Sequence, residues 1–326
     1  MNHRLLCSIA ALAASTFAAG QTLSPVAKPA AAKTAATWTP SRTPDGRPDL
    51  QGVWSNASNT PLERPKNLGS KEFYTEQEAA ELARQGFQGD RGGLQEVHYD
   101  FSQFGMDAMQ SRFAQNLRTS MIVGPEGRVP PMTPEGQKRN ADLAAKAKGH
   151  EFDGPESRGL TERCIIYGNA EGPPMLPPMY NNNMQIVQEP GYVAIINEMY
   201  HDVRVISTNG RRHVPQNIRQ WRGDSVGHWE GATLVVDTTN FTGQTRFRGS
   251  TENLHVIERF TRTSPETILY EFTVEDPATW VRPWTAQLVM GPALGQLYEF
   301  ACHEGNYGMA NNLRNARFEE ATEPRP

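Results

Sequence analysis

The sequence predicts a mostly-β fold: an antiparallel β-barrel of lipocalin-like type, or a sandwich, with an α-containing N-terminal segment. Three observations predict it. Strand-like runs separated by turn signals follow one another from Asn183 to Met290. The chain holds 28 Gly and 24 Pro, which favours turns over long helices. Polar residues occur at both parities of several strands, which favours a barrel with a polar lumen over a sandwich.

The N-terminus reads as an export signal over residues 1–20. Arg4 gives a short charged region, Leu5 to Ala19 an apolar run, and Ala18-Ala19-Gly20 a small-residue cleavage site. The run falls short of the about 20 apolar residues a membrane span needs. Residues 21–65 form an extended Pro-rich leader, with a short strand at Leu50 to Trp54. Residues 66–160 are a helix-containing segment that packs on the barrel. Thr75 and Glu78 make a capping box for a helix over Glu76 to Gln85. Thr133-Pro134-Glu135 opens a second, running to about Lys148 and stopping at Gly149. Ser120 to Val123 is expected as a strand, and 154–159 as a polar loop.

The barrel domain is expected over 161–318, with a tail at 319–326. Its strands are Asn183–Gln188, Tyr192–Ile206 (one strand or a pair), Ile218–Trp221, Ser225–Asp237, His255–Arg262, Thr267–Glu275, Thr285–Met290 and Leu297–His303. Asn209-Gly210 is a hairpin turn signal.

The formal charge is −4. This mild acidity argues against a nucleic-acid partner, which needs a basic patch. No later stretch is long and apolar enough to span a membrane. Of three cysteines, Cys7 leaves with the signal. Cys164 and Cys302 are expected to pair in an oxidising compartment, two buried thiols being the alternative.

The runs GPPMLPPMYNNNMQIVQEPGYVAIINEMYHDVRVI, RQWRGDSVGHWEGATLVVDTTNF, FRGSTENLHVIERFTR, YEFTVEDPATWVRPW and YEFACHEGNYGM resemble a large family of secreted bacterial proteins without an assigned activity. The resemblance runs from PDLQGVW to near the C-terminus. It implies kinship and an exported location, and no reaction. GHWEGATLVV also resembles lipocalin-type barrels, which bears on fold rather than function.

Candidate site residues follow from ionisable groups within strands. On Tyr192–Ile206, period two places Glu198, Tyr200, Asp202 and Arg204 on one face and Asn197, Met199 and His201 on the other. The first set either lines a lumen or faces solvent. Tyr180, Asn181, Asn182 and Asn183 either bind polar ligand groups or serve turns. His255, His201 and His303 are candidate acid–base groups, with Glu271 or Glu198 as the carboxylate partner. Arg204, Arg219, Arg248 and Arg282 are candidates to hold an anionic group; the alternative is that Arg219, Arg248, Arg259 and Arg282 pair with Glu271, Glu275 and Glu299. Trp221 and Trp280 are expected against an aromatic, terpenoid or sugar-like ligand, ordinary core packing being the alternative.

No H-E-x-x-H, P-loop or CxxCH motif occurs, so neither a metal nor another cofactor is expected. The leading expectation is a periplasmic or secreted enzyme that acts on a small organic molecule by acid–base chemistry, as a lyase, isomerase, hydratase or hydrolase. The alternatives are a lipocalin-like carrier of a hydrophobic molecule and an envelope interaction protein. The partner is a small molecule, and the oligomeric state is left open.

Overall fold

The computed structural model describes residues 38–58, 60–88, 116–168, 171–178 and 180–322. The export signal and the leader up to residue 37 lie outside the described residues. Nine strands close into one barrel in sequence order. They are β1 (Gly52–Ser55), β2 (Asn183–Glu189), β3 (Tyr192–Asn197), β4 (Val203–Ser207), β5 (Asp224–Glu230), β6 (Thr233–Thr239), β7 (His255–Ser264), β8 (Thr267–Glu275) and β9 (Trp284–Pro292). All neighbours are antiparallel except β4 and β5, which run parallel. The barrel is therefore mixed, where the sequence predicts a purely antiparallel one.

The alternation expected of a barrel wall is clear on β8, where Ile268, Tyr270, Phe272 and Val274 are buried and the residues between them half-exposed. Trp284, Ala286, Leu288 and Met290 repeat it on β9. With Phe260, Val256, Val236, Ile206, Ile195 and Ile186 they fill the lumen. The interior is thus apolar, not the polar lumen the residue pattern suggests. Its main polar element is one triad. Arg204 gives Glu258 two hydrogen bonds, of 2.9 and 3.0 Å, and the Tyr270 hydroxyl donates to the same carboxylate at 2.7 Å. Met175 enters from residues 171–178, fully buried, and its N–H donates to the Tyr270 hydroxyl at 2.9 Å.

Several boundaries differ from the sequence reading. The barrel does not begin at 161, because β1 lies in the segment assigned to the leader and pairs with both β2 and β9. Tyr192–Ile206 is a pair, broken by a 3-10 turn at Met199–His201 in which Tyr200 and His201 have positive φ. Period two therefore fails across it, and Glu198, Tyr200, Asp202 and Arg204 do not share a strand face. Ser225–Asp237 is a hairpin, turned by Gly231 at φ 59°. Ser120–Val123 contributes only a bridge from Ile122 to Ala286 beside β9. Ile218–Trp221 and Leu297–His303 form no strands. Residues 308–318 are not barrel and 319–322 are not tail, since both belong to a C-terminal helix.

Three α-helices occur among the described residues: α1 (Glu76–Gln88), α2 (Pro134–Ala147) and α3 (Gly308–Thr322). Thr75 and Glu78 form the expected capping box. Thr133 caps α2 by accepting from the Gly136 N–H at 3.0 Å. Arg139 fastens α2 to the barrel through the Ala278 and Gly249 carbonyls and the Thr279 hydroxyl. No described helix is long and apolar enough to cross a membrane.

The two barrel ends differ. The β2–β3, β5–β6 and β7–β8 connections at one end are short turns. The other end carries the segment before β2, the turn before β4, and the loops 240–254 and 276–283. The parallel step between β4 and β5 requires the connection 208–223 to return along the outside of the wall.

Candidate functional site

The returning connection 208–223 creates the first polar cluster. Asn240 fixes it: its side-chain amide donates to the carbonyls of Val214, Pro215 and Ile218 at 3.0–3.1 Å. So held, His213 lies over the outward faces of β5 and β6. Its Nδ1 is 3.0 Å from Asp224 and its Nε2 3.0 Å from Asp237. The second Asp237 oxygen lies 3.0 Å from His255 Nε2, and His255 Nδ1 lies 3.2 Å from Glu275. Arg211 closes the chain with two hydrogen bonds to Asp224, at 2.7 and 3.0 Å. One carboxylate, Asp237, is thus shared by two imidazoles.

The donor inventory constrains this chain. Carboxylates only accept, and both nitrogens of each ring face one. Every contact is a hydrogen bond only when the ring carries both protons. The hydrogen bond to Asp237 raises the His255 pKa above its ordinary value, against the opposing effect of burial. Burial raises Asp237, but its bonds to His255 and His213 outweigh that and leave it lowered. Asp224 is likewise raised by burial, yet Arg211, the Val214 N–H and His213 bring it down to about 2. The side chains of His213, His255 and Asp237 are 27%, 28% and 37% exposed, so the chain is open to solvent and to a ligand.

A second cluster lies at the barrel mouth, around the disulfide between Cys164 and Cys302. Glu198 is buried and accepts from Asn181 Nδ2 at 2.7 Å, Asn183 Nδ2 at 3.1 Å and the Tyr298 N–H at 3.3 Å. Tyr180 stacks on Phe300 and tilts against Tyr167, which meets Tyr200 edge-on. Burial pushes the Tyr200 hydroxyl up to about 12. Its proton is donated to the Thr161 carbonyl. Glu171, fully buried, accepts from the Tyr167 N–H at 3.0 Å, and Arg222 approaches it to 3.8 Å. Burial raises its pKa. Arg222 also pairs with Asp202.

The candidates separate accordingly. His255 joins the outer chain with Glu275. Glu198, Tyr180, Asn181 and Asn183 come together at the mouth, and Asn182 contributes a carbonyl to the Asn56 N–H. His201 is exposed and bonds the Phe300 carbonyl. His303 is exposed in the turn after Cys302, where no strand holds it against a carboxylate. Glu271 faces outward on β8 opposite Arg259, which bonds Glu230 instead. Arg204 is sealed in the lumen on Glu258. Arg219 bonds the Glu252 carbonyl, Arg282 pairs with Glu126, and Arg248 is exposed. Trp280 packs against Trp284 in the core, and Trp221 is half-buried with its carbonyl on Thr245. None of these residues joins His255.

Asp237, His213, Asp224 and Glu171 were not singled out by the sequence. Asp237 carried a signal, an acid interrupting the apolar run Leu234–Val236. His213, in an irregular loop, carried none. Among the described residues, no group of three or more His, Cys, Asp or Glu side chains is placed to hold a metal ion.

The molecule is thus a closed mixed barrel with a packed lumen and an outward histidine–carboxylate chain at its long-loop end. Comparison with protein-family models, curated proteins and solved structures returns no match.

Proposed function

We propose that this chain is an exported enzyme that moves protons on a small organic molecule, with His255 as the acid–base group. One observation carries the reading: His255 and His213 each lie 3.0 Å from the same carboxylate, on a half-exposed surface. Asp237 fixes the His255 ring through Nε2, as an orienting carboxylate does in acid–base sites. The Nδ1 contact with Glu275 is the longer one, so a substrate group displaces Glu275 to reach the ring. His213, anchored by Asp224, is a second proton-bearing ring on the far side of Asp237. Arg211 offsets part of the local negative charge. Elimination, hydration, isomerisation and hydrolysis all fit this set.

The disulfide supports an oxidising compartment. It agrees with the export signal expected at 1–20 and with the resemblance to secreted proteins. The carrier reading draws less support, because side chains fill the lumen where its ligand would sit.

The test is turnover of a metabolite extract by the purified mature chain, beside His255→Gln, His213→Gln and His303→Ala. Loss of at least 100-fold in the first is expected, since a positioned acid–base group contributes about 10²–10⁴-fold. His303→Ala should behave as the parent. Full turnover in His255→Gln sinks the reading, as does an extract left unchanged by the parent chain.

A further inference from the structure

We propose that an open groove between residues 156–168 and the loop 243–246 binds the oxyanion group of a small organic acid or phosphate ester. The cavity is ≈ 410 Å³, a size suited to a small molecule. It is distinct from the histidine chain, and the inference does not rest on the acid–base reading.

Three arginines are among its lining residues, Arg158, Arg163 and Arg246. Arg158 is already neutralised, with hydrogen bonds of 2.7 and 2.8 Å to Glu162. Arg163 and Arg246 have no carboxylate partner among the described residues. Arg163 is half-buried, which disfavours a lone charge, and Arg246 uses only its Nε, on the Gly243 carbonyl at 3.1 Å. Two uncommitted guanidinium forks beside one cavity suit a carboxylate or phosphate, which accepts paired hydrogen bonds from arginine. Glu156 lies on the same lining and sets a limit on the charge the groove tolerates. Leu160 and Ile166 add an apolar wall, so the fitting ligand is an organic anion rather than a bare ion.

The walls are held in place by left-handed backbone positions and by anchoring contacts. Arg246 sits at φ 45° and Arg248 at φ 48°, left-handed conformations that favour glycine. Phe247 between them is anchored in the core. Thr245 Oγ1 donates to the Trp221 carbonyl at 2.7 Å. On the opposite wall, the disulfide through Cys164 ties residues 159–168 to Cys302. A strained position that keeps arginine, where glycine would relieve the strain, points to a use for the side chain.

That strain supplies the test. Isothermal titration at low ionic strength uses benzoate and phenyl phosphate as separate probes, with inorganic phosphate as a third. The parent chain should bind an organic probe more tightly than inorganic phosphate, and 0.5 M salt should weaken binding. Arg163→Ala and Arg246→Gly should each lower affinity about tenfold, the loss expected for one hydrogen bond between charged groups. Arg246→Gly should also keep or raise the melting temperature, which separates lost recognition from lost folding. Lys138→Ala, which removes one surface charge elsewhere, should bind as the parent. Equal affinity in parent and both arginine variants overturns the proposal, as does absence of binding heat for all three probes at millimolar concentration.

Discussion

Two ionisable clusters lie on opposite sides of the same wall. Glu258 and His255 are three positions apart on β7, an odd spacing that sends one inward and the other outward. Inside, Glu258 is 0% exposed, and Arg204 and Tyr270 consume its lone pairs. Outside, His255 meets Asp237 and Glu275 at a surface that water reaches. Both clusters join carboxylates to hydrogen-bond donors. The difference teaches that burial, more than composition, separates a charge that braces the barrel from one that can exchange its proton.

The comparison breaks most sharply at Glu258. Glu258→Ala leaves Arg204 buried and unpaired, and should cost about 3–5 kcal/mol by urea unfolding. Replacing both partners, as Arg204→Met with Glu258→Leu, should recover most of that loss, because apolar pairs of similar volume often substitute well. A double variant as unstable as the single one would show that the triad does more than brace the lumen. Tyr270→Phe comes next. It strips the Met175 N–H and Glu258 of a partner in a dry interior, and should cost about 1–3 kcal/mol.

Asp237→Asn should cost about 1 kcal/mol or less, since exposed ion pairs contribute little. Its effect belongs in turnover, where the orientation of both imidazoles is lost. A stability loss as large as that of Glu258→Ala would make the outer chain structural. The smallest expected effect is pH dependence. The His255 pKa is raised, so its contribution is complete below the ordinary value of 6.5 and is lost as pH rises through the raised one. Asp237 and Asp224 are lowered, so theirs is present above the ordinary 3.8 and is lost as pH falls, for Asp224 through about 2. Melting temperature against pH should therefore show this contribution in full between 3.8 and 6.5. In Asp237→Asn the upper, His255-dependent arm should flatten.

Much of the barrel was legible because a wall strand has a strict two-residue period. β7, β8 and β9 follow from alternation within one or two residues. The β5–β6 hairpin was hidden because Glu230-Gly231-Ala232 lacks a common hairpin pair, and the apolar pattern on both sides reads as one run. α3 was hidden by its composition, since GMANNLRNARFEEAT buries little beyond Ala316. The sequence left Arg204 open between lumen and solvent, and the absence of free space around it was not legible, because packing depends on residues such as Met175 that arrive from outside the strands. His255 was visible as a lone histidine on a strand. Its partner His213 is brought by a loop 42 residues earlier, and no local pattern encodes that meeting.

The covalent bridge between residues 164 and 302 encloses β2 to β9 and leaves β1 outside the ring. The ninth stave is therefore a separate insert of four residues, seated between two partners that the bridge already holds on one covalent ring. A chain cut after residue 58 would present β2 and β9 as two unpaired borders, which invite self-association. A synthetic peptide carrying the sequence around Gly52–Ser55 should slot into that vacancy and suppress the clumping, as donor strands do elsewhere.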